Sequence, residues 1–566
     1  MHHLRLINYR ILLIGVFTVI ATGLVIVPAL FLLTGSFSSG MPYEKDRTFT
    51  LENYRQLFAT TDLWKLIWNT FWVAILTTAF TVIWGVSLAW IITRTNLPFG
   101  GLIEQLLIIP FYFSPFMGGI CWSLLAAPRV GILNMMLTSA FPFLGRNGPF
   151  NAYTSWGIIW TMSLYFVPFV FLFTSGALKS MDATLEESSQ MSGATKFKTA
   201  VKITLPLVLP AIAGGSLLVF ILAISQFGVP AILGLRGKFY VIATRLYTLV
   251  ASYPPHYTLA ASLGIFFFAV TAILVYVQTK ILGKRQFTTV TGRGFRPRKI
   301  ILGTKLKVLM LLYCLFYLVV AVILPIGVLL WTSLIKYLVP KLSMAKYTLA
   351  HYADILFVYP PTRLAIKNSL ILSIIGATIA IVLTGGIAWI LHRTRLPGRK
   401  LLEYITMFPI AIPGVIFAVA LLWTWISVPY IYGTIWLLLI CYITVYMPYG
   451  IRSTSATLVQ LDKSMEECAQ VCGSTWLHTI KTITVPLLRP GIIAGWTLLF
   501  IIFSRELVSS VFLSTSKSVV ISVAMYDLYF QGVWGKLAAM SMIQTVITFS
   551  VLSLARKLGG TRVIVS

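Results

Sequence analysis

Negative charge is what this chain has least of. Asp and Glu number 15 in 566 residues against 44 Lys and Arg, and charged residues of all kinds make up 10%, where soluble domains carry about 25%. That excludes an ordinary water-soluble domain. Five Cys, at 121, 314, 441, 468 and 472, are too few and too scattered for a disulfide framework. The six His, with His2 and His3 in a terminal tail, form no metal-ligand or Ser/His/Asp constellation, so no catalytic residue is assigned and a metal site is left unknown. No loop of the form Gly, four residues, Gly-Lys-Ser/Thr occurs; any nucleotide hydrolysis must belong to another polypeptide.

What the chain has is long apolar runs: 58% of its residues are hydrophobic. At about twenty residues per crossing, spans are predicted near 11–33, 66–92, 102–126, 154–177, 208–234 and 258–282. Six more are predicted near 306–334, 366–391, 401–426, 434–451, 490–513 and 537–555. The expected fold class is therefore all-α, a polytopic membrane protein of about 12 transmembrane helices. The first run lacks a small-residue cleavage pattern and reads as a retained helix.

A net charge of +29 would point to nucleic acid in a soluble protein. Membrane orientation explains it better, and no nucleic-acid partner is expected. Lys280, Lys284, Arg285, Arg293, Arg296, Arg298, Lys299, Lys305 and Lys307 crowd the junction of the halves without one acid, whereas the stretch 36–65 is nearly neutral. The positive-inside bias then places the junction and both termini in the cytoplasm.

The chain repeats itself. Asn69, Arg94, Pro98 and Pro110 recur as Asn368, Arg393, Pro397 and Pro409, displaced by 299; Pro168, Asp182, Gly193, Pro206 and Pro210 recur as Pro448, Asp462, Gly473, Pro486 and Pro490, displaced by 280. The difference places nineteen extra residues in the first half, around 128–151. Six spans per half preserve orientation, so the two halves form a parallel repeat. The expected division is a first domain at 1–282, a basic cytoplasmic linker at 283–304 and a second domain at 305–566.

Between the fourth and fifth spans of each half lies a polar loop, about 179–208 and about 453–489. Six of the fifteen acids are here: Asp182, Glu186, Glu187, Asp462, Glu466 and Glu467. Asp182 or Thr184 can cap a short helix whose first turn favours Glu186 and Glu187. Gly193 ends it, and Pro206 and Pro210 mark re-entry into the membrane. A helical elbow held outside the bilayer is a docking surface for a soluble partner.

These loops resemble the signature of the permease subunits of binding-protein-dependent ABC importers: Glu-Ala-Ala, three residues, Gly, nine residues, Ile, one residue, Leu-Pro. Glu187, Gly193, Ile203, Leu205 and Pro206 match in the first half, and Glu467, Ala469, Gly473, Ile483 and Pro486 in the second. Ser188 and Ser189 replace both alanines, Cys468 replaces one, and Val485 replaces Leu. The resemblance implies a type I importer permease fold in a bacterial inner membrane. It also implies a coupling helix in each half, carried by Glu186, Glu187, Gly193, Glu466, Glu467 and Gly473. The implied partners are a homodimer of cytoplasmic ATPase subunits, which holds the ATP and Mg, and a substrate-binding protein; membrane lipid surrounds the chain, which binds no cofactor itself.

Ionisable residues inside a span are costly and therefore informative. Arg505 and Glu506 are read in the eleventh span, and the 280 offset pairs them with Ser225 and Gln226 in the fifth; these four are the pathway or gate candidates. Glu104 and Glu403, near span ends, are weaker. Tyr165, Tyr442, Tyr446 and Trp160 are expected to pack rather than line a pore, and Cys468 and Cys472 to be small packing residues rather than soft ligands. The stretches at 225–249 and 504–532 resemble the ferric-iron permeases, which implies ferric iron as substrate. Few carboxylates in the spans also suit an anionic ligand such as a phosphonate or phosphate ester, and thiamine or a polyamine stays open as substrate. No acid-rich or broken-helix coupling site is expected, which makes an ion-coupled secondary transporter the weaker alternative.

Overall fold

Backbone polar groups in a bilayer must bond internally, and apolar runs of this length satisfy them by winding into helices. The computed structural model describes residues 2–41, 44, 46–60, 62–145, 147–181, 183–283, 299–339, 344–394 and 397–559. Among the described residues, extended structure is limited to three isolated β-bridges. Asp182 and residues 284–298 of the basic linker lie outside them.

Among the described residues, ten helices are long and apolar enough to cross a membrane, including Asp62–Arg94, Ser155–Ser180, Pro360–Arg393 and Ile435–Gln460. The third span predicted in each repeat is a bent pair: Gly100–Tyr112 with Pro115–Ala126 at 96°, and Arg399–Ile410 with Gly414–Trp425 at 107°. Pro110, Pro115, Pro409 and Pro413 interrupt the hydrogen-bond ladder there. The loop geometry counts each pair as one crossing. Arg94, ending the second helix, pairs with Glu186, just beyond the end of Ser155–Ser180, so Arg94 and Ser180 share a side. Ser155 is then on the other side, and only the bent pair joins the two. Arg393 and Glu466 repeat the argument, which brings the candidate crossings among the described residues to twelve.

The fifth and eleventh predicted spans are broken at the same place. Leu205–Ile224 and Val485–Ser504 each stop, three residues leave the helix, and a short helical segment follows, at 228–234 and Val508–Leu513. Arg505 and Glu506 therefore sit at a helix break, not inside a continuous span. Gln544 helps terminate the second of these helices, its Nε2 donating to Ser504 O at 2.6 Å.

Packing divides the chain differently from the sequence repeat. One compact unit joins Met1–Thr60, Leu246–Ala269 and Tyr352–Ser566; the other joins Thr61–Arg245 and Val270–His351. Within the first, the opening helix His2–Ser36 lies on second-repeat helices: a Cβ on Gly35 would fall 2.9 Å from the Trp423 ring, and one on Gly386 2.6 Å from the Phe17 ring. Within the second, the helical span Thr304–Leu334 lies on first-repeat helices. Tyr313 Oη is 2.6 Å from Ser87 Oγ, Tyr317 Oη donates to Leu164 O at 2.9 Å, and Trp84 stacks on Tyr313 at 4.9 Å. Each repeat's first helix has gone to the other repeat's body.

The extra residues of the first repeat form a helix, Ile132–Ala140, and a turn, Pro142–Leu144. Buried Asn134 holds them: its Nδ2 donates to Ala127 O at 2.9 Å and Phe150 O at 2.8 Å, and its Oδ1 accepts from Phe150 N at 3.0 Å.

Candidate coupling site

The polar loop of each repeat carries a short helix, Ala183–Met191 and Ser464–Val471. Gly193 and Gly473 end these helices with φ of +83° and +86°, a left-handed conformation that other residues adopt at a cost. The following amide reaches back over the turn: Ala194 N to Ser189 O at 3.1 Å and Ser474 N to Ala469 O at 3.0 Å. This is the glycine stop of a helix C-terminus. A Cβ on either glycine would meet nothing within 4 Å, so the elbow presents open space outward. In the second repeat Asp462 Oδ1 accepts Ser464 N at 3.0 Å, and that bond holds its carboxyl below the usual carboxylate range.

The two acids of each loop have different surroundings. Glu186 is buried, 8% exposed, while Glu187 is exposed. Arg94 Nη1 lies 3.4 Å from Glu186 Oε2, and Thr204 Oγ1 donates to Glu186 Oε1 at 2.6 Å. In the second repeat Arg393 Nε lies 3.3 Å from Glu466 Oε1, and Thr484 Oγ1 donates to the same oxygen at 2.9 Å. Arg393 Nη2 also donates to Leu458 O at 3.2 Å and Leu461 O at 2.8 Å. One carboxylate thus ties the short helix to the end of the second membrane helix and the start of the fifth.

Local sequence explains the Thr positions. Pro206 and Pro486 lack an N–H, and the five residues before each helix, Ala200–Thr204 and Ile480–Thr484, are wound as π-helix. The wide turn brings the last of them, Thr204 or Thr484, onto the acid. Ser189, a departure from the motif alanine, pairs with Thr199 Oγ1 at 3.0 Å.

The far ends of the second helices are also pinned in duplicate. Asn69 Nδ2 donates to Tyr240 O at 3.0 Å, and Asn368 Nδ2 to Val519 O at 2.9 Å. Their neighbours accept from the next helix start: Thr70 Oγ1 from Ile242 N at 3.0 Å, Ser369 Oγ from Ile521 N at 2.8 Å. The repeat markers Asn69, Arg94, Asn368 and Arg393 are thus the fastening points of the architecture. Sequence spacing singled them out but gave no partner for them.

At the second helix break Glu506, 4% exposed, accepts Ser509 N at 2.8 Å, Ser510 N at 3.1 Å and Ser510 Oγ at 2.7 Å. It caps the short helix Val508–Leu513. Tyr442 Oη lies 2.6 Å from Ser510 Oγ. Arg505, Ser225 and Gln226 are half-buried; Ser225 Oγ donates to Ile221 O at 2.8 Å. Ser225 and Gln226 belong to one compact unit, Arg505 and Glu506 to the other.

The remaining sequence candidates have local partners or lie open. Glu104 pairs with Lys179, and Glu403 is exposed. Tyr165 packs on Gly118, and Trp160 meets Trp122 edge-on at 5.6 Å. Cys468 and Cys472 are free and exposed.

A duplicated multi-pass body of apolar helices, with one clamped elbow per repeat, is the build of a membrane transport component. The chain belongs to the family of binding-protein-dependent transport system inner membrane components, whose model matches residues 81–288 and 381–559. It is 28% identical over 447 residues to the ferric transport system permease protein FbpB of Actinobacillus pleuropneumoniae, a match covering 79% of this chain and 64% of that protein. It is likewise 28% identical over 494 residues to the putative ferric transport system permease protein FbpB 1 of Haemophilus influenzae, covering 87% of this chain and 76% of that one. Among solved structures, a bacterial ABC transporter involved in the import of the acidic polysaccharide alginate matches with 21% identity and a TM-score of 0.38, over 42% of this chain and 85% of its own.

Proposed function

We propose that the chain is the transmembrane permease subunit of an ATP-driven importer, taking ferric iron from a periplasmic binding protein and passing it to the cytoplasm by alternating access. The observation that carries this reading is the pair of clamped elbows. Each ends in a left-handed Gly with open space above it, and each is tied to two membrane helices through one acid, buried Glu186 in the first repeat and half-buried Glu466 in the second. Force applied to the elbow by a docked ATPase is therefore delivered to the second and fifth helices of that repeat. Two elbows call for two ATPase sites, hence a homodimer, which carries the ATP and Mg. The elbows and both termini face the cytoplasm, in accord with the basic junction of the halves.

Ferric iron rests on the names of the relatives. Among the described residues no group of three His, Cys, Asp or Glu could hold a metal ion, so iron is assigned as cargo on a weakly binding path. The four break residues, Ser225, Gln226, Arg505 and Glu506, are the proposed gate. The test is radiolabelled uptake in cells lacking this chain and complemented with it, supplied in turn with ferric iron, a phosphonate, thiamine and a polyamine. Iron uptake restored by the chain and lost without ATP is expected. Restoration of an organic solute in place of iron would move the protein to that substrate, and gradient-driven flux in liposomes holding this chain alone would overturn the importer reading.

A further inference from the structure

The clamp of the first repeat differs from that of the second in a way that points to a ligand. Arg94 is 1% exposed, yet its Nε and Nη2 have no hydrogen-bond partner among the described residues. Its counterpart Arg393 turns Nη2 onto the carbonyls of Leu458 and Leu461. Arg94 instead borders a cavity of about 150 Å³ shared with Glu186, Gln190, Thr204 and Lys299. The segment after the basic linker is fastened at its rim: Ile300 N donates to Arg94 O at 2.7 Å, and Leu302 N to Asn96 Oδ1 at 3.0 Å. That bond pattern brings Lys299 to the cavity. Two cations against one carboxylate leave one positive charge for an occupant.

The cavity has an apolar extension. An open groove of about 640 Å³ is lined by Val82, Ile83, Val86, Leu209, Ile212 and Met310. Trp90 borders both: the second helix walls both, the turn Ala200–Thr204 and residues 299–301 wall the cavity, and the helices that continue from them, at Leu205–Ile224 and Thr304–Leu334, wall the groove. From Val82 to Arg94 the helix rises roughly 18 Å at about 1.5 Å per residue. One leaflet of a bilayer with a core of about 30 Å is roughly 15 Å deep. A basic pocket at the membrane end of an apolar groove one leaflet long has the shape and charge of a phospholipid.

We propose that this is a binding site for one anionic phospholipid of the leaflet on the elbow side, its phosphate accepting from Arg94 Nε and Nη2 and from Lys299, and an acyl chain lying along Val82, Val86 and Leu209. A singly negative headgroup matches the net charge of the pocket. At Arg94 Nη2 the lipid takes the place that the carbonyls of Leu458 and Leu461 hold at Arg393 Nη2, and so braces the first elbow against the end of the second helix.

The experiment is thermal unfolding of the detergent-purified full chain, titrated with phosphatidylglycerol, phosphatidylcholine or inorganic phosphate at constant ionic strength. Phosphatidylglycerol is expected to raise the midpoint saturably, phosphatidylcholine less, and inorganic phosphate not at all. Lys299→Gln should raise the half-saturating phosphatidylglycerol concentration about fivefold, as for one basic residue at a membrane surface, with Lys299→Arg restoring it. Val86→Trp, which fills the exposed groove, should abolish the lipid effect while leaving the lipid-free midpoint in place. A rise produced by phosphate alone would make this a free-anion site and overturn the proposal. So would equal responses to the two lipids, or unchanged phosphatidylglycerol titrations in both Lys299→Gln and Val86→Trp.

Discussion

Glu186 and Glu187 are neighbours in the chain but do different work, because one helix position faces the membrane body and the next faces out. Glu186 is held by Arg94, 92 residues away, and by Thr204. Replacing Arg94 by Met would leave Glu186 charged and buried with one hydroxyl donor, a loss of roughly 3 kcal/mol. We expect the Glu186→Gln and Glu466→Gln pair to lose uptake while still binding the ATPase. Glu187→Gln with Glu467→Gln should weaken ATPase binding itself; pull-down and uptake measured on the same membranes separate the two, and normal uptake by the Glu186 and Glu466 pair would remove the clamp from the mechanism. At Gly193 and Gly473 the constraint is backbone conformation, so Ala costs about 1–2 kcal/mol per site but meets no clash. Trp at both should block docking without unfolding the chain, and full transport by that double variant would refute docking at the elbows. The loop acids and glycines were legible in the sequence because they are local and duplicated. Which acid was buried was not, since the motif match falls on Glu187 and the decisive partners come from distant helices.

At the scale of elements, the candidate crossings follow from hydropathy, but direction does not. A window average over 102–126 cannot tell a straight span from one bent by 96°, although Pro110 and Pro409 stood out as repeat markers. Nor could it see that the fifth and eleventh spans stop before residues 225 and 505. Expecting no broken helices was therefore an error of the apolar average, which stays high across both breaks. The break gives Glu506 a definite task as cap of Val508–Leu513. Glu506→Ala would leave two buried amides and a hydroxyl without acceptors, a loss of about 1–3 kcal/mol for each, and should lower the amount of folded protein. Glu506→Gln keeps an acceptor oxygen, so it isolates the charge: reduced uptake at normal protein level supports the gate, and unchanged uptake removes it. The second elbow carries a pH signature. The Asp462 carboxylate, lowered by its bond from Ser464 N, stabilises the helix start above the usual carboxylate pKa, and that stabilisation is lost as pH falls through the lowered value. Hydrogen exchange at 464–467 should therefore quicken on acidification, beyond its intrinsic pH dependence, and do so less in Asp462→Asn.

For the whole molecule the sequence repeat and the packed units answer different questions. Duplication is written as similarity, residue by residue at fixed offset, whereas packing depends on which faces meet, and no offset records that. The first helix of each repeat resembles its counterpart in sequence position yet completes the other repeat's body, through Gly35 on Trp423, Gly386 on Phe17, and Tyr313 and Tyr317 on Ser87 and Leu164. Each packed unit therefore contains chain from both halves, and neither half expressed alone can complete a unit. A chain divided between residues 284 and 298, with both pieces produced together, should reassemble: the pieces co-purify in detergent and restore uptake, while either piece alone is degraded. Gly386→Leu tests the cause, because it drives a side chain into the Phe17 ring, an overpacking cost of about 1–3 kcal/mol, and should weaken co-purification of the divided chain far more than it affects the joined one, whose pieces cannot diffuse apart. If each half were instead stable and monodisperse by itself, the exchanged helices would be ornaments to two self-sufficient domains, and the joining of the repeats in one polypeptide would need another physical reason.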